Sequence, residues 1–88
     1  MCHNIRPLFN FDPPASEAEV RNAALQFVRK ISGSSKPSKV NEAAFATAVD
    51  EVTESCRRLL ASMVTNAPPR DREVEAAKAK ERAQRRFA

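Results

Sequence analysis

A single glycine, Gly33, stands against 15 alanines in this 88-residue chain. Glycine supplies the positive-φ positions that tight strand turns and phosphate-cradling loops require, while alanine is the strongest helix former. The imbalance excludes Gly-rich nucleotide loops and argues against a β-sandwich with its many turns. Helices are what remain. A chain of this length is one domain, 1–88, because either half of a split would fall below the roughly 50-residue floor for independent folding. Its large apolar side chains are four Leu, two Ile, seven Val and five Phe. A core built from these is small, so stability is marginal and self-association is open.

Proline and helical periodicity divide the chain. Pro7, Pro13 and Pro14 forbid a helix over residues 1–15, yet Ile5, Leu8, Phe9 and Phe11 make that arm too apolar for a free tail. Ser16 and Glu19 form a capping box that opens a helix over 16–32, with Val20, Ala24, Phe27 and Ile31 as its apolar stripe. Gly33 is placed to end it in the left-handed conformation. Phe45, Val49, Val52, Cys56, Leu59 or Leu60, and Met63 predict a second helix over 41–65, with Asn41 or Ser38 as its cap and Pro68-Pro69 beyond its end. A third helix over 70–86 has Val74 and Phe87 as its only large apolar residues. Its acids gather at the start, its arginines at the end, and Glu81 and Arg85 sit four apart.

The expected fold is all-α, an antiparallel helical hairpin with an extended N-terminal arm and a charged C-terminal helix. No strand is expected. Phe27, Ile31, Phe45, Val49 and Val52 should meet near the connecting loop. The second helix is the longer, so the arm should cover Leu60, Met63 and Val64 where it overhangs.

Composition narrows function more than it identifies it. The chain has no Trp, no Tyr and one His, which removes multi-histidine metal sites and aromatic base-stacking platforms. These absences weigh against an enzyme, and no cofactor or metal is expected. Two regions stand out. A small residue after Met1 permits removal of the initiator, which would leave Cys2 with a free amine and thiol on one carbon, a nucleophile-plus-base or chelating pair. With Met1 retained, His3 becomes the third residue of a square-planar copper or nickel motif. Against both stands the plain reading of Cys2 as a small hydrophobe; Cys56, within an apolar stripe, reads as core.

The second region is the tail. Residues 70–88 hold seven basic and four acidic side chains. Arg70, Arg72, Val74, Lys78, Arg82, Arg85 and Arg86 are the candidate partner-binding residues, for a protein or, weakly, for nucleic-acid phosphates; a merely solvated helix face is the alternative. Nothing resembles a signal peptide or membrane span, and the two cysteines do not form a disulfide framework. The expectation is a cytoplasmic, non-enzymatic binding protein, with thiol or metal activity at Cys2 as the alternative.

Several runs are distinctive: Met1-Cys2-x-Asn4-Ile5-Arg6, Pro13-Pro14, Leu25 to Gly33, Lys36-Pro37-Ser38, and Ala67-Pro68-Pro69-Arg70-Asp71-Arg72-Glu73-Val74-Glu75-Ala76-Ala77-Lys78. In these the chain resembles the bacterial domain-of-unknown-function family 2277 over nearly its whole length. The resemblance brings no activity with it. Family members usually carry Arg where this chain has His3, which undercuts a shared metal role there. Cys2, Asn4 and Arg6 are left as the candidate arm site.

Overall fold

The computed structural model describes residues 5–87, with Phe87 described through its backbone alone. In chain order the elements are β1 (Phe11–Asp12), α1 (Glu17–Ser32), a 3₁₀ turn (Lys39–Asn41), α2 (Glu42–Ser62), β2 (Arg70–Asp71) and α3 (Arg72–Phe87). The chain is mainly helical, and α1 and α2 form the hairpin. No helix among the described residues is long and apolar enough to cross a membrane.

The ends of α1 follow the sequence closely. Glu19 N–H donates to Ser16 Oγ at 3.1 Å, and Ser16 N–H returns to Glu19 Oε1 at 3.0 Å, completing the capping box. Gly33 takes φ 68° and donates its N–H to the Arg29 carbonyl, the left-handed stop that a Cβ would strain. α2 starts differently. Neither Ser38 nor Asn41 caps it with a side chain; the 3₁₀ turn leads directly into Glu42. Its end also comes early, at Ser62, where Met63 turns to extended backbone well before Pro68.

The core is narrower than the periodicity predicts. Val20, Ala24 and Val28 of α1 bury against Val49 and Thr53 of α2, and Thr53 Oγ1 donates to the Val49 carbonyl at 2.6 Å. Phe27 and Ile31, expected inside, are 45% and 73% exposed. Positions 27 and 28 both follow Ala24 at helical spacing, so periodicity does not choose between them. Ala24 is 1% exposed, and the small residue in that place brings the helices close. Val28 fits such a closely packed seam, while the bulkier Phe27 is carried to its flank. Phe45 and Val52 stop half-buried on the same side.

One edge of the hairpin is laced by charge. Arg21 pairs with Asp50 at 2.9 Å, Arg57 approaches Glu17 at 3.9 Å, and Glu54 is held by Arg57 and Arg58. Both Arg57 contacts hold it charged, its bond to Glu54 foremost.

The arm overturns the strand-free expectation. β1 lies parallel to β2, with Phe11 opposite Arg70 and Asp12 opposite Asp71. Arg70 N–H donates to the Asn10 carbonyl at 2.7 Å. Asn10 itself has φ 63°, a conformation that asparagine tolerates better than most residues. Its side-chain amide donates to the carbonyls of Ala67 and Pro68, at 3.3 and 3.1 Å. Two residues per strand give no alternation that a sequence pattern can display. Leu8, Phe9 and Phe11, each half-buried, line a pocket of about 410 Å³ together with Val20, Leu60 and Ala61, so the arm does reach the overhang at Leu60. It does not shelter Met63 or Val64, the latter 91% exposed.

Candidate functional site

The β1–β2 bridge returns the chain to the arm and launches α3 beside it. Asp71 caps the new helix by accepting Val74 N–H at 3.1 Å. Arg72 then ties three segments together. Its Nε donates to the Pro13 carbonyl at 2.7 Å, and its two Nη atoms donate to the Glu19 carboxylate at 2.9 and 3.0 Å. Glu19 thereby serves the α1 cap and the α3 mooring at once. The Arg72 hydrogen bonds, followed by that from Ser16, hold its carboxyl below the ordinary glutamate value of 4.5.

Between the arm and the first turns of α3 opens a cleft of about 760 Å³. Arg6 and Phe11 line it from the arm, Arg70 from β2, Arg72, Glu75 and Arg82 from α3, and Glu19 from α1. Four guanidiniums therefore face two carboxylates. Two of the cations lie over the Phe11 ring, with the Arg70 guanidinium carbon 5.6 Å and that of Arg72 5.5 Å from its centre, within cation–π range. Arg72 is fully engaged by Glu19 and Pro13. Arg6, Arg70 and Arg82 make no ion pair and no side-chain hydrogen bond among the described residues. Their charge is available to a ligand.

The candidates read from the sequence divide accordingly. Arg6, Arg70, Arg72 and Arg82 share this cleft, although 76 positions separate the first from the last. Lys78 is spent on Glu75 at 3.8 Å, and Arg85 pairs with Glu81 one helical turn away. Arg86 is exposed at the far end of α3, and Val74 is half exposed outside the cleft. Cys2 and Asn4 lie outside the described residues, as does His3. Cys56 is half-buried and unbridged in α2. Among the described residues no group of three His, Cys, Asp or Glu side chains comes together to hold a metal ion.

Three contributors escape a sequence reading: Asn10, Phe11 and Glu19. Asn10 offered a signal as one of three arm residues, with Asn4 and Asp12, of the types that tolerate positive φ. Glu19 was visible only as a capping residue, because its second partner lies 53 positions away. Phe11 read as apolar cover, and its placement against two arginines depends on the strand bridge.

The model of a family described as an uncharacterized conserved protein, DUF2277, matches residues 1–78, and the chain belongs to that family. The match takes in Arg6, Arg70 and Arg72 and stops short of Arg82. No curated protein and no solved structure matches the chain.

Proposed function

We propose that this chain is a non-enzymatic binding protein that holds an anionic stretch of another macromolecule in the cleft between its arm and α3. One observation carries the reading: three arginines from distant parts of the sequence converge on one cleft without a carboxylate partner among the described residues. Guanidinium is planar, permanently charged and able to donate two parallel hydrogen bonds to a phosphate or carboxylate. The cleft has an engaged arginine as its fixed floor and the Phe11 ring as a brace, so its cations are partly positioned before a ligand arrives. With Glu19 paired to Arg72 and Glu75 to Lys78, the surplus is the three free arginines, which favours modest affinity. A cytoplasmic location accompanies this reading, since nucleic acids and acidic protein segments are both abundant there.

Titration of a labelled single-stranded RNA and of a polyglutamate peptide at several salt concentrations tests it. If each free arginine neutralises one phosphate, RNA affinity should fall with salt at a log–log slope of about −2. Replacing Arg6, Arg70 and Arg82 together by Gln should flatten that slope and leave the helical signal unchanged. Polyglutamate should bind the same cleft and lose affinity in the same variant. Salt-independent binding, or a triple variant that binds both polymers as well as the parent, would overturn the proposal.

A further inference from the structure

On the side of the hairpin away from its ion-paired edge, a groove of about 680 Å³ opens between α1 and α2 near the connecting loop. Phe27 and Ile31 form one wall, and Ala44, Phe45, Ala48 and Val52 form the other. Among the described residues Lys36 is the one charged residue lining it, and none of the arm or of α3 lines it. Those segments are fixed at the opposite end by Asn10 and Arg72. Helical spacing continues the apolar strip along α2 to Leu59, which is 57% exposed.

The surface area indicates what is missing. The chain exposes 7146 Å², whereas size scaling gives roughly 5,200 Å² for a folded monomer of 9.8 kDa. Its radius of gyration is 15.6 Å, against roughly 12 Å for a compact domain of this length. The molecule is a plate of 43 × 37 × 17 Å. The excess is about 2,000 Å², and a stable homodimer takes about 1,000–2,500 Å² from each partner. Part of the excess belongs to the free-standing α3, exposed from Ala76 to Arg86, and part to the apolar groove face, where Phe27, Ile31 and Leu59 are 45%, 73% and 57% exposed.

We infer that a second copy of this chain covers the groove, the two hairpins packing through their apolar sides into a two-fold symmetric four-helix bundle. The face suits itself. It carries too little charge to repel its copy, and it offers a ridge, Phe27 and Ile31, beside a shallow strip of small residues, Ala44 and Ala48. A two-fold axis sets the ridge of each protomer against the strip of its partner, and alanines on that strip permit close helix approach.

Sedimentation equilibrium of the full chain up to about 100 µM tests this, a range in which an interface of this class is saturated. The expected species is a dimer. Ile31 is 73% exposed in the single chain, so Ile31→Glu and Ile31→Lys should keep the circular dichroism of the parent. Both should weaken association at least about 100-fold, because each buries an unpaired charge. Equal effects from the two signs would assign the loss to burial and not to the net charge. Val64→Glu, at an exposed site outside the groove, should remain dimeric. A parent chain that sediments as a monomer across this range, an Ile31→Glu variant that stays dimeric, or a Val64→Glu variant that dissociates would overturn the inference.

Discussion

The two ends of the hairpin are finished in opposite ways. At the open end, where α1 starts and α2 stops, the arm brings Leu8, Phe9 and Phe11 to a pocket shared with Val20 and Leu60, and the Asn10 and Arg72 hydrogen bonds pin it. At the loop end, Phe27, Ile31 and Phe45 are equally apolar, and no segment of the arm or of α3 among the described residues lies over them. Both ends obey the same 3.6-residue period, so apolar pattern alone does not decide burial. What decides it is whether another segment of chain is brought there and held by polar contacts. The open end has that segment and so carries the cleft; the loop end is left for a partner.

Removing the cover should produce the largest effect. Deletion of residues 1–12 exposes Val20 and Leu60 and removes the strand partner of Arg70 and Asp71. Three half-buried arm side chains stabilise by about 2 kcal/mol after ordering entropy, which corresponds to a melting temperature lower by about 8–16 °C. A thermal melt of the truncated chain is the check. An unchanged melt would mean that the two ends are alike and that the arm merely rests on the hairpin.

Phe45→Ala probes the other end. Full burial would make this truncation cost about 3–5 kcal/mol. Phe45 is only half-buried on the groove wall, so the cost to the single chain should be about 1–2 kcal/mol. If a second copy covers the groove, the cost should grow with protein concentration. Urea melts at low and high concentration separate the two contributions. A full-sized cost at every concentration would show that the loop end is closed by the chain itself.

This contrast also explains how far the sequence could be read. The capping box at Ser16, the Gly33 stop and the hairpin are local matters, governed by residues within four positions of one another, and they were legible. The choice of Val28 over Phe27 was not, because it depends on how closely Ala24 lets α2 approach. The cleft was half legible. Arg6 and the tail arginines stood out as two separate groups, and only the pairing of Phe11 with Arg70 brings them together. Which tail cations are free was hidden for the same reason. Lys78 and Arg85 have carboxylate partners within a turn, visible as spacing, whereas the partner of Arg72 comes from the start of α1.

A smaller effect is expected when α3 is released from its mooring. Sixteen residues of helix are marginal in water without tertiary contacts. From Ala76 to Arg86 every residue of α3 is exposed, so the Arg72 contacts and the Asp71 cap are what hold the helix in place. Arg72→Ala should lower global stability by about 1 kcal/mol, discounted for the partial exposure of the pair. It should also reduce hydrogen-exchange protection selectively over 72–87. Arg72→Lys keeps the charge but not the bidentate geometry, and should recover only part of that protection. Unchanged protection in Arg72→Ala would place the anchor of α3 elsewhere.

The smallest effect is a pH dependence that links both jobs of Glu19. Its carboxyl is held below 4.5, first by the Arg72 hydrogen bonds and then by the Ser16 N–H, and both favour the charged form. In the unfolded chain those partners are absent and the group takes up its proton at a higher pH. Between the two values the unfolded state binds more protons, so stability rises with pH across that window. The contribution is therefore fully present above 4.5 and is lost as pH falls through the lowered folded value. Glu54 is displaced in the same direction by Arg57, so the acid limb of the parent alone does not isolate Glu19. The difference between parent and Glu19→Gln does. It should be constant above about pH 5 and shrink steadily on further acidification as the parent loses what the variant never had. Exchange protection of α3 should fall in the parent over the same interval, because protonation removes the charge and the two-oxygen acceptor that the Arg72 fork uses, leaving only the C=O oxygen of the Glu19 carboxyl and the Pro13 contact. A parent-minus-variant difference that stays flat down to pH values well below the ordinary glutamate range would show that Glu19 does not join α1 to α3 through its charge.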